Sequence, residues 1–532
     1  MAEAIKVLVS DKLAKEGVEI LQKEPGVEVT VKTGMKPEEL KVELPKYDAI
    51  IIRSETKQTA DILAVAPNIK AIARAGTGID NVDVPAASKN GAIVMNTPGG
   101  NTISTAELAV TLLLSLCRHI APACAKLKAG EWDKKSFQGV ELNGKTMAVV
   151  GLGRIGCEVA KRCKAFGMRV IGYDPFISSE RAAANGIEKV FSSVPDMVKE
   201  ADFITVHTPL DDKTRGIIGK REFDLMKPGV RLINDARGGI IDEEALLEAL
   251  NSGKVAGAAL DVFTKEPPTD RRLIEHPKVL CTPHLGASTE EAQITVAVDA
   301  ATQIIDALKH GEVRFAVNYP ALSGRDAAEL APYGRLALKL GTLAGQIAQG
   351  QMESVEIVYA GEIAGRDLRG VTMQCTMGLM RCFEEGVNPV SAPLLAKDRG
   401  IDIRITTTPS AKDFQSSIEV RVRTSDSSHV VAGAIFGKDT PRIVDVDGYH
   451  VEIIPEGSVL IVHNQDKPGL IGGIGKILGD AGVNIAAMTF GRKAAGGDAI
   501  AALNVDAESL PARTLEAIAT MSNVNSVRVV KL

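Results

Sequence analysis

Residues 145–175 read KTMAVVGLGRIGCEVAKRCKAFGMRVIGYDP, and the rest of the chain is built around this stretch. The apolar run 147–150 is typical of a buried strand, and the glycine-rich segment 151–156 predicts the turn that leaves it. An amphipathic helix is predicted over 155–166. A second short strand follows the helix and ends at Asp174. The pattern is that of a βαβ unit on a parallel sheet.

The glycines and the acid of this unit have separate tasks. Gly151 permits a tight turn, Gly153 lets a pyrophosphate approach the backbone, and Gly156 lets the helix pack closely on the strand. The free N–H groups at the helix N-terminus attract the phosphates. Asp174 follows at the position where a carboxylate accepts hydrogen bonds from ribose hydroxyls. A glycine turn without a ligand is the alternative, but all the parts stand in register, and they predict a dinucleotide site.

Composition limits the class of protein. A chain of 532 residues is too long for one core, so three or four domains are expected. A net charge of −5 gives no reason to expect nucleic acid or an anionic membrane as partner. The longest apolar run is too short to span a bilayer, and the first residues lack the pattern of a signal peptide. Seven cysteines without a CxxC pair predict free, buried thiols, no metal site and a cytoplasmic location.

Three strands of the first hundred residues end in polar segments. Since ligands of parallel sheets bind beyond the strand C-termini, these segments are candidate binding positions. Arg53 and Arg74 have the charge to hold an anionic substrate, and the amides of Ala75, Gly76 and Thr77 are suited to a carboxylate. For either arginine alone, a solvated surface side chain is an equal alternative.

Four further strands end at His207, Arg237, Asp261 and His284, with Glu266 on a nearby loop. Hydride transfer from a secondary alcohol needs a base for the hydroxyl proton, a cation for the carboxylate and a docked nicotinamide. Histidine suits the first task, and a neighbouring carboxylate orients such a base. Arginine holds a carboxylate through two parallel N–H bonds. By spacing alone, the two histidines compete equally for the role of base.

These motifs together resemble the D-2-hydroxyacid dehydrogenase family. The resemblance rests on GLGRIG with its later acid, NDARGG (234–239), DVF with EP (261–267) and PHLG (283–286). The run RAGTGIDNVD (74–83) and HLGAST (284–289) are closer still to the phosphoglycerate dehydrogenases within that family.

The resemblance implies site roles that spacing left open. It implies His284 as acid/base, Glu266 as its partner and Arg237 on the substrate carboxylate, with His207 near the cofactor. It implies cofactor contacts, in addition to the glycines, at Thr77, Arg154, Ile155, Asp174, Thr208, Ala236, Asp261 and Ala287. Arg53, Arg74 and Asn101 would face the substrate. Lys134 stands where some relatives have arginine, which puts its phosphate contact in doubt.

The last two hundred residues change character. From Tyr319 onward helices and strands alternate without glycine-rich turns, and the resemblance makes this an intervening α+β domain. The final module reads βαββαβ, a ferredoxin-like order that resembles the ACT regulatory domain. Asp466 and Asn484 match its ligand-binding positions, which implies an amino-acid effector at a dimer seam. By their sequence alone, a turn and a helix exit are the simpler interpretation of these two sites.

The expected architecture is α/β, with a Rossmann-type NAD domain (99–285) inserted in a flavodoxin-like substrate domain (1–98 and 286–317). An intervening domain (318–456) and an ACT domain (457–532) follow. The resemblance implies NAD-dependent oxidation of D-3-phosphoglycerate, the first committed step of serine synthesis, by a homotetramer that L-serine inhibits. The alternatives are a hydroxypyruvate or glyoxylate reductase, and a dinucleotide-sensing interaction protein.

Overall fold

The computed structural model describes residues 4–320, 325–411, 413–507 and 509–532. Four β-sheets follow one another along the chain, which confirms the expected mixture of parallel α/β and α+β architecture. Among the described residues, no single helix has both the length and the apolar composition needed to cross a membrane, although 102–117 and 120–128 together pass that test with a 63° bend between them.

The first sheet is parallel and has the order β2-β1-β3-β4-β5 that is typical of flavodoxin-like folds. Its β3 is buried along its whole length, because helices cover both faces. Its strands are β1 (Ile5–Val9), β2 (Val27–Val31), β3 (Ala49–Ile52), β4 (Ala71–Arg74) and β5 (Ile93–Asn96). The helices are α1 (Lys15–Lys23), α2 (Pro37–Glu43), α3 (Ala60–Ala64) and α4 (Val84–Lys89), with a 3₁₀ turn at Leu44–Lys46.

The second sheet has seven parallel strands in the order β12-β11-β10-β9-β6-β7-β8. Successive strands are added outward on one side of β6 as far as β8 and then on its other side from β9 onward, and the switch point between β6 and β9 is where dinucleotides bind in such folds. Its strands are β6 (Thr146–Val150), β7 (Arg169–Tyr173), β8 (Lys189–Phe191), β9 (Phe203–Val206), β10 (Val230–Asn234), β11 (Val255–Leu260) and β12 (Val279–Cys281). The helices are α5 (Thr102–Cys117), α6 (Ile120–Lys128), α7 (Arg154–Ala165), α8 (Ser179–Ala184), α9 (Val194–Val198), α10 (Lys220–Leu225) and α11 (Glu243–Asn251).

After the second sheet the chain returns to the first. Helix α12 (Glu290–Ile305), continued by a π-helical turn at Asp306–His310, buries Val296, Ala300 and Ile304 against the apolar side chains of β1, β3 and β4. A further bridge joins Met95 to Ala316. The two parallel sheets therefore meet along a cleft between their C-terminal edges.

The third sheet is mixed, with the order β14-β13-β15-β16-β17-β18 and a single parallel pair, β13 with β14. Its elements are α13 (Arg325–Ile347), β13 (Met352–Gly361), a 3₁₀ turn at Glu362–Gly365, α14 (Arg369–Met380), α15 (Ala392–Asp398), β14 (Asp402–Thr408), β15 (Ser416–Thr424), β16 (Ser428–Phe436), β17 (Thr440–Val446) and β18 (Tyr449–Ile453). The sequence pattern did not predict α15, β16 or β17. Strand β16 contains Ala-Gly-Ala and β17 contains proline and aspartate, residues that are poor in strand signal.

The fourth sheet is antiparallel, with the order β20-β21-β19-β22. Its elements are β19 (Ser458–Gln465), α16 (Leu470–Asp480), β20 (Ile485–Arg492), β21 (Asp498–Val505), α17 (Ala512–Ala519) and β22 (Val524–Lys531). The expected ferredoxin-like order is confirmed. All seven cysteines are free, but Cys124 and Cys382 are exposed, so the expectation of buried thiols is wrong for these two.

Candidate active site

The glycine turn after β6 is packed too tightly for other residues at two positions. Gly151 has a φ of +90°, and a Cβ there would lie 2.7 Å from the carbonyl oxygen of His207. A Cβ on Gly156 would lie 2.0 Å from the carbonyl oxygen of Gly151. Gly153 differs, because a Cβ there would meet no atom within 4 Å. The turn therefore leaves open the face at which α7 begins, as a bound pyrophosphate requires.

Asp174 ends β7 with its carboxylate held in one orientation. Its Oδ2 accepts a hydrogen bond from the Leu152 N–H at 2.9 Å, and its Oδ1 accepts one from the Phe176 N–H at 2.8 Å. Each carboxylate oxygen keeps a further lone pair for a ribose hydroxyl. The Thr208 hydroxyl is buried beside the turn without a hydrogen-bond partner among the described residues. These residues fit a dinucleotide.

A cavity of about 680 Å³ lies between the C-terminal edges of the first two sheets. Many of the predicted site residues line it, and they come from both sheets. They are Arg74, Thr77, Asn101, Arg154, Ile155, Thr208, Ala236, Arg237, His284 and Ala287. Thr77 and Asn101 also bond to each other, since the Thr77 hydroxyl donates to Asn101 Oδ1 at 2.7 Å.

His284 and Glu266 form a close pair at the edge of this cavity. His284 Nδ1 lies 2.7 Å from Glu266 Oε2, so Nδ1 carries the proton toward the carboxylate and Nε2 remains available to the cavity. Burial by itself raises the pKa of Glu266, but the hydrogen bonds from His284 and the Phe263 N–H and the charge of Arg237 outweigh it, and the pKa falls below its usual value. Glu266 is therefore ionised at neutral pH and orients the imidazole.

The loop that carries His284 is held from below by Asp261. The Asp261 carboxylate accepts hydrogen bonds from Thr282 Oγ1 at 2.6 Å and from the N–H groups of Leu285 and Gly286 at 2.7 and 2.9 Å. His284 itself has a φ of +55°, a conformation that is costly outside glycine. Asp261 is fully buried, so the expected direct contact with the cofactor finds no open surface here. Its observed task is to shape the turn.

His207 has no exposed side-chain surface, and this separates it from His284, whose side chain is 45% exposed. Its Nε2 is hydrogen-bonded to Thr205 Oγ1 at 2.8 Å, and its Nδ1 lies 3.4 Å from Asp235 Oδ1. Burial lowers the pKa of His207 to about 3. Burial also raises the pKa of Asp235 well above its usual value, with the nearby Asp261 adding to the effect. The two buried side chains face each other in the wall of the cavity, and His207 Nδ1 and both Asp235 carboxylate oxygens have no hydrogen-bond partner among the described residues.

The positive charge of the cleft comes from Arg74, Arg154 and Arg237, which line the cavity; Arg53 does not line it but stands near Arg74. The guanidinium of Arg74 is largely buried, with its Nε unpartnered among the described residues. Burial, then repulsion from Arg237 and Arg53, lowers the pKa of Arg74 to about 10. Arg53 Nη1 donates to the Lys12 carbonyl at 3.2 Å, and its backbone N–H donates to Asp11 at 2.6 Å. Such a group of cations suits a ligand with more than one negative charge.

Two expectations for substrate contacts are not met as stated. The Ala75 N–H donates to the Ile52 carbonyl at 2.8 Å as part of the sheet, so it is not free for a carboxylate. The N–H groups of Gly76 and Thr77 make no backbone hydrogen bond within the described chain and remain candidates. Lys134 lies exposed on its loop and does not line the cavity that the described residues form.

The two predicted effector residues lie apart. Asp466 precedes α16 and accepts hydrogen bonds from Arg492 Nη1 at 2.7 Å and the Gly496 N–H at 3.1 Å. Asn484 follows the same helix and donates to Asp506 at 2.7 Å. An 11-residue helix spans about 16 Å, so one chain does not bring both side chains onto one small ligand.

Sequence reasoning assigned no role to three acidic residues of this region. Asp11 is buried and bonds to the backbone that carries Arg53, Asp80 bonds to Arg237, and Asp235 faces His207. A signal was available for Asp80, which stands in the run RAGTGIDNVD beside the substrate loop. Asp235 likewise stands in the motif NDARGG, whereas for Asp11 the sequence offers no signal, because the segment to which it bonds is distant along the chain.

Comparison with known proteins agrees with this geometry. Residues 110–286 match the model of the D-isomer specific 2-hydroxyacid dehydrogenase NAD-binding domain. Residues 329–447 match the D-3-phosphoglycerate dehydrogenase intervening domain, and residues 458–517 match the ACT domain. Fold, cavity and these matches define an NAD-dependent oxidoreductase of the 2-hydroxyacid dehydrogenase class.

Relatives narrow the class further. The chain is 43% identical to the D-3-phosphoglycerate dehydrogenase of Methanocaldococcus jannaschii, covering 99% of this chain and 100% of that one, and 41% identical to that of Bacillus subtilis over 99% of both. The chain belongs to the D-3-phosphoglycerate dehydrogenase family. Among solved structures, a glyoxylate reductase from Paecilomyes thermophila is 31% identical, with a TM-score of 0.54 over 60% of this chain and 99% of that one. D-lactate dehydrogenase from Escherichia coli is 26% identical, with a TM-score of 0.52 over 59% and 100%.

Proposed function

We propose that this protein oxidises D-3-phosphoglycerate to 3-phosphooxypyruvate with NAD⁺, the first committed step of L-serine synthesis. The observation that carries the proposal is that His284, which is paired with Glu266, lines one cavity with Arg74 and Arg237, beside a turn that fits a dinucleotide. The full-length relatives named D-3-phosphoglycerate dehydrogenase support the same substrate.

In the proposed mechanism, His284 Nε2 takes the proton of the substrate hydroxyl while the C–H hydrogen leaves with its electron pair. Bound NAD⁺ supplies the hydride acceptor. The Glu266 carboxylate stabilises the imidazolium that results, because Nδ1 keeps its proton. Arg237 holds the substrate carboxylate and the oxygen that becomes the carbonyl. The products are the keto acid, NADH and one proton, which His284 releases to water.

The charge of the cleft supports a phosphorylated substrate. Arg74 and Arg53 lie on the first sheet, opposite the turn of the second sheet, and we assign them to the phosphate. A buried arginine without a partner is costly, and a bound dianion would relieve that cost. The amides of Gly76 and Thr77 remain available to the substrate carboxylate. We do not assign Lys134 to the phosphate site of its own chain, because it does not line the cavity that the described residues form.

A substrate panel with purified protein tests the proposal. We expect NADH-dependent reduction of 3-phosphooxypyruvate to have at least a tenfold higher kcat/KM than reduction of hydroxypyruvate or glyoxylate. The reason is that the phosphate adds at least one ionic contact, and about 1.4 kcal/mol of added stabilisation corresponds to a tenfold increase in kcat/KM. Arg74→Ala should remove most of this preference, while Arg404→Ala, on the exposed face of the third sheet, should leave it unchanged. A higher kcat/KM with glyoxylate would instead support a glyoxylate reductase, the activity after which one structural neighbour is named.

Asp174 accounts for the choice of NAD over NADP. A 2′-phosphate on the ribose would meet its carboxylate, which two backbone N–H groups hold in place. We expect Asp174→Ala to narrow the ratio of kcat/KM for the two cofactors. Equal use of both cofactors by the unmodified protein would contradict this reasoning.

We also propose that L-serine binds between the ACT modules of two chains and lowers turnover. Asp466 and Asn484 stand at opposite ends of α16, so a second copy must bring the two side chains to one ligand. This arrangement supports a homo-oligomer, proposed as a tetramer, and the seven free cysteines are consistent with a cytoplasmic enzyme.

The domain division proposed is 1–98 with 286–317, then 99–285, 318–456 and 457–532. The return of α12 to the first sheet supports the discontinuous first domain. The family-model matches, which end at residue 286 and resume at 329 and 458, support the other boundaries.

A further inference from the structure

Asp80 makes an ion pair across the cleft with the arginine assigned to the substrate carboxylate. Arg237 Nε donates to Asp80 Oδ2 at 2.9 Å, although the two residues are far apart in sequence. Asp80 belongs to the loop after β4 of the first sheet, whereas Arg237 follows β10 of the second sheet. Both line the cavity that also contains His284.

Two further contacts restrict the position of the Arg237 guanidinium. Arg237 Nη1 donates to the carbonyl of Ala236 at 2.7 Å. A Cβ on Gly78 would lie 1.6 Å from Arg237 Nη2, so the guanidinium lies directly over this glycine. With Nε held by Asp80 and one N–H of Nη1 held by Ala236, the second N–H of Nη1 and the N–H groups of Nη2 remain for a carboxylate. The orientation of Arg237 is therefore set by the opposite side of the cleft.

The support beneath Asp80 is rigid. The neighbouring Asn81 donates from Nδ2 to the carbonyls of Arg53 and Thr56, at 2.6 Å each, and its own carbonyl accepts from the Gln58 N–H at 2.8 Å. Asp83 then caps α4 through the Ala86 N–H at 2.9 Å. Asp80 thus stands on a loop with few degrees of freedom.

Asp80 also supplies charge that the cleft needs. Arg237 depresses the pKa of Arg74 by repulsion, next after burial, whereas Asp80 raises it. Without Asp80, the Ala236 carbonyl would be the one hydrogen-bond partner left to the Arg237 side chain among the described residues, and the like charge of Arg74 would repel Arg237. The carboxylate therefore counters a repulsion that would turn Arg237 out of position.

We infer that Asp80 is a positioning residue that directs the Nη groups of Arg237 toward the substrate carboxylate from the opposite side of the cleft. The inference rests on the proposed role of Arg237. The inference predicts that removing the Asp80 carboxylate weakens anion binding, which is opposite to the effect expected from its charge alone. Removing a negative charge from an anion site should tighten anion binding, whereas loss of alignment should weaken it.

The test compares Asp80→Ala and Asp80→Asn with a matched control. Asp61→Ala removes an equally exposed, ion-paired aspartate outside the cavity. Oxalate, which carries the carboxylate without the phosphate, is titrated by calorimetry into each protein with NADH bound, and KM and kcat are measured with 3-phosphooxypyruvate. For Asp80→Ala we expect oxalate affinity to fall and KM to rise by about tenfold, about 1.4 kcal/mol, with kcat changed less than about threefold. Asp80→Asn keeps an acceptor oxygen and should lose only about threefold.

Several outcomes decide the matter. Unchanged or tighter oxalate binding by Asp80→Ala overturns the inference, as does an equal loss in Asp61→Ala. If Asp80→Ala does not fold, Asp80→Asn decides, since undiminished affinity there is equally contrary. NADH affinity should not move in any variant, which separates misalignment from general damage. If the unmodified protein does not reduce 3-phosphooxypyruvate, the proposed function is wrong. The oxalate titrations would still test whether Asp80 positions Arg237.

Discussion

Replacing Gly156 by alanine would test the dinucleotide turn at its tightest contact. The added Cβ would lie 2.0 Å from the carbonyl oxygen of Gly151 and 3.3 Å from Val149 Cγ1. Because the first of these atoms is backbone, no side-chain rotation relieves the overlap. The start of α7 must move by about 1 Å, an overpacking that costs about 1–3 kcal/mol. For a domain of this size that cost lowers the melting temperature by about 3–9 °C.

Gly153 provides the matched control within the same turn. Its backbone is extended, with a φ of −72°, and a Cβ there meets nothing within 4 Å. Gly153→Ala should therefore melt like the unmodified protein. Its methyl group nevertheless stands where a pyrophosphate approaches the helix N-terminus. We expect NADH to bind about 10- to 100-fold more weakly, the loss of one charge-assisted hydrogen bond of about 1.5–3 kcal/mol.

The assay pairs thermal unfolding with titration of NADH fluorescence. Gly156→Ala should lose both stability and NADH affinity, whereas Gly153→Ala should lose affinity alone. Normal melting and normal affinity in Gly156→Ala would refute the close contact of helix and turn. Equal destabilisation by the two substitutions would show that the Cβ contact at residue 156 is not the cause.

The remaining predictions concern the base, the buried pair and the effector. His284→Ala should lower kcat by about 10²–10⁴-fold with NADH affinity unchanged, as stopped-flow and titration can show, and full activity would exclude His284 as the base. Between about pH 4.5 and 6.5 the lowered pKa of His207 and the raised pKa of Asp235 have opposite effects on how folding stability depends on pH, because the folded state favours the deprotonated histidine and the protonated aspartate. Asp235→Asn should therefore lose stability as pH falls through this range and His207→Gln as pH rises, each by up to about 1.4 kcal/mol per unit, and parallel melting profiles would contradict this. Asn484→Ala should abolish inhibition by L-serine without altering uninhibited kcat, and serine inhibition that persists in this variant would locate the effector elsewhere.

The sequence predicted the parts of the fold that repeat a local pattern. Every strand of the two parallel sheets except the three-residue β8 was predicted within a few residues, because each of them is a short apolar run bounded by turn residues. The ferredoxin-like module was predicted for the same reason. Strands β16 and β17 were missed, since their ordering comes from neighbours in the sheet rather than from their own alternation.

Much of the candidate site was also predictable, because in parallel sheets the strand ends gather at one edge. From this rule Arg237 and His284 were expected at a common edge, and both line the cavity there. It could not foresee that the Ala75 amide is used by the sheet, which depends on the register between β3 and β4. It also gave no reason to bury Asp261 with three donors.

By itself the sequence determined the dinucleotide turn, the class of fold and the set of residues from which a base and a carboxylate partner must come, since these depend on residue type and local spacing. Strand-end spacing did not separate His207 from His284; the family resemblance did, and the tertiary structure supplies the physical reason, because burial is a property of the whole packing and not of the strand end. Only the tertiary structure joined Asp80 to Arg237, because their contact crosses a cleft between two sheets. Local patterns specify what a segment forms, whereas long-range packing specifies which side chains meet.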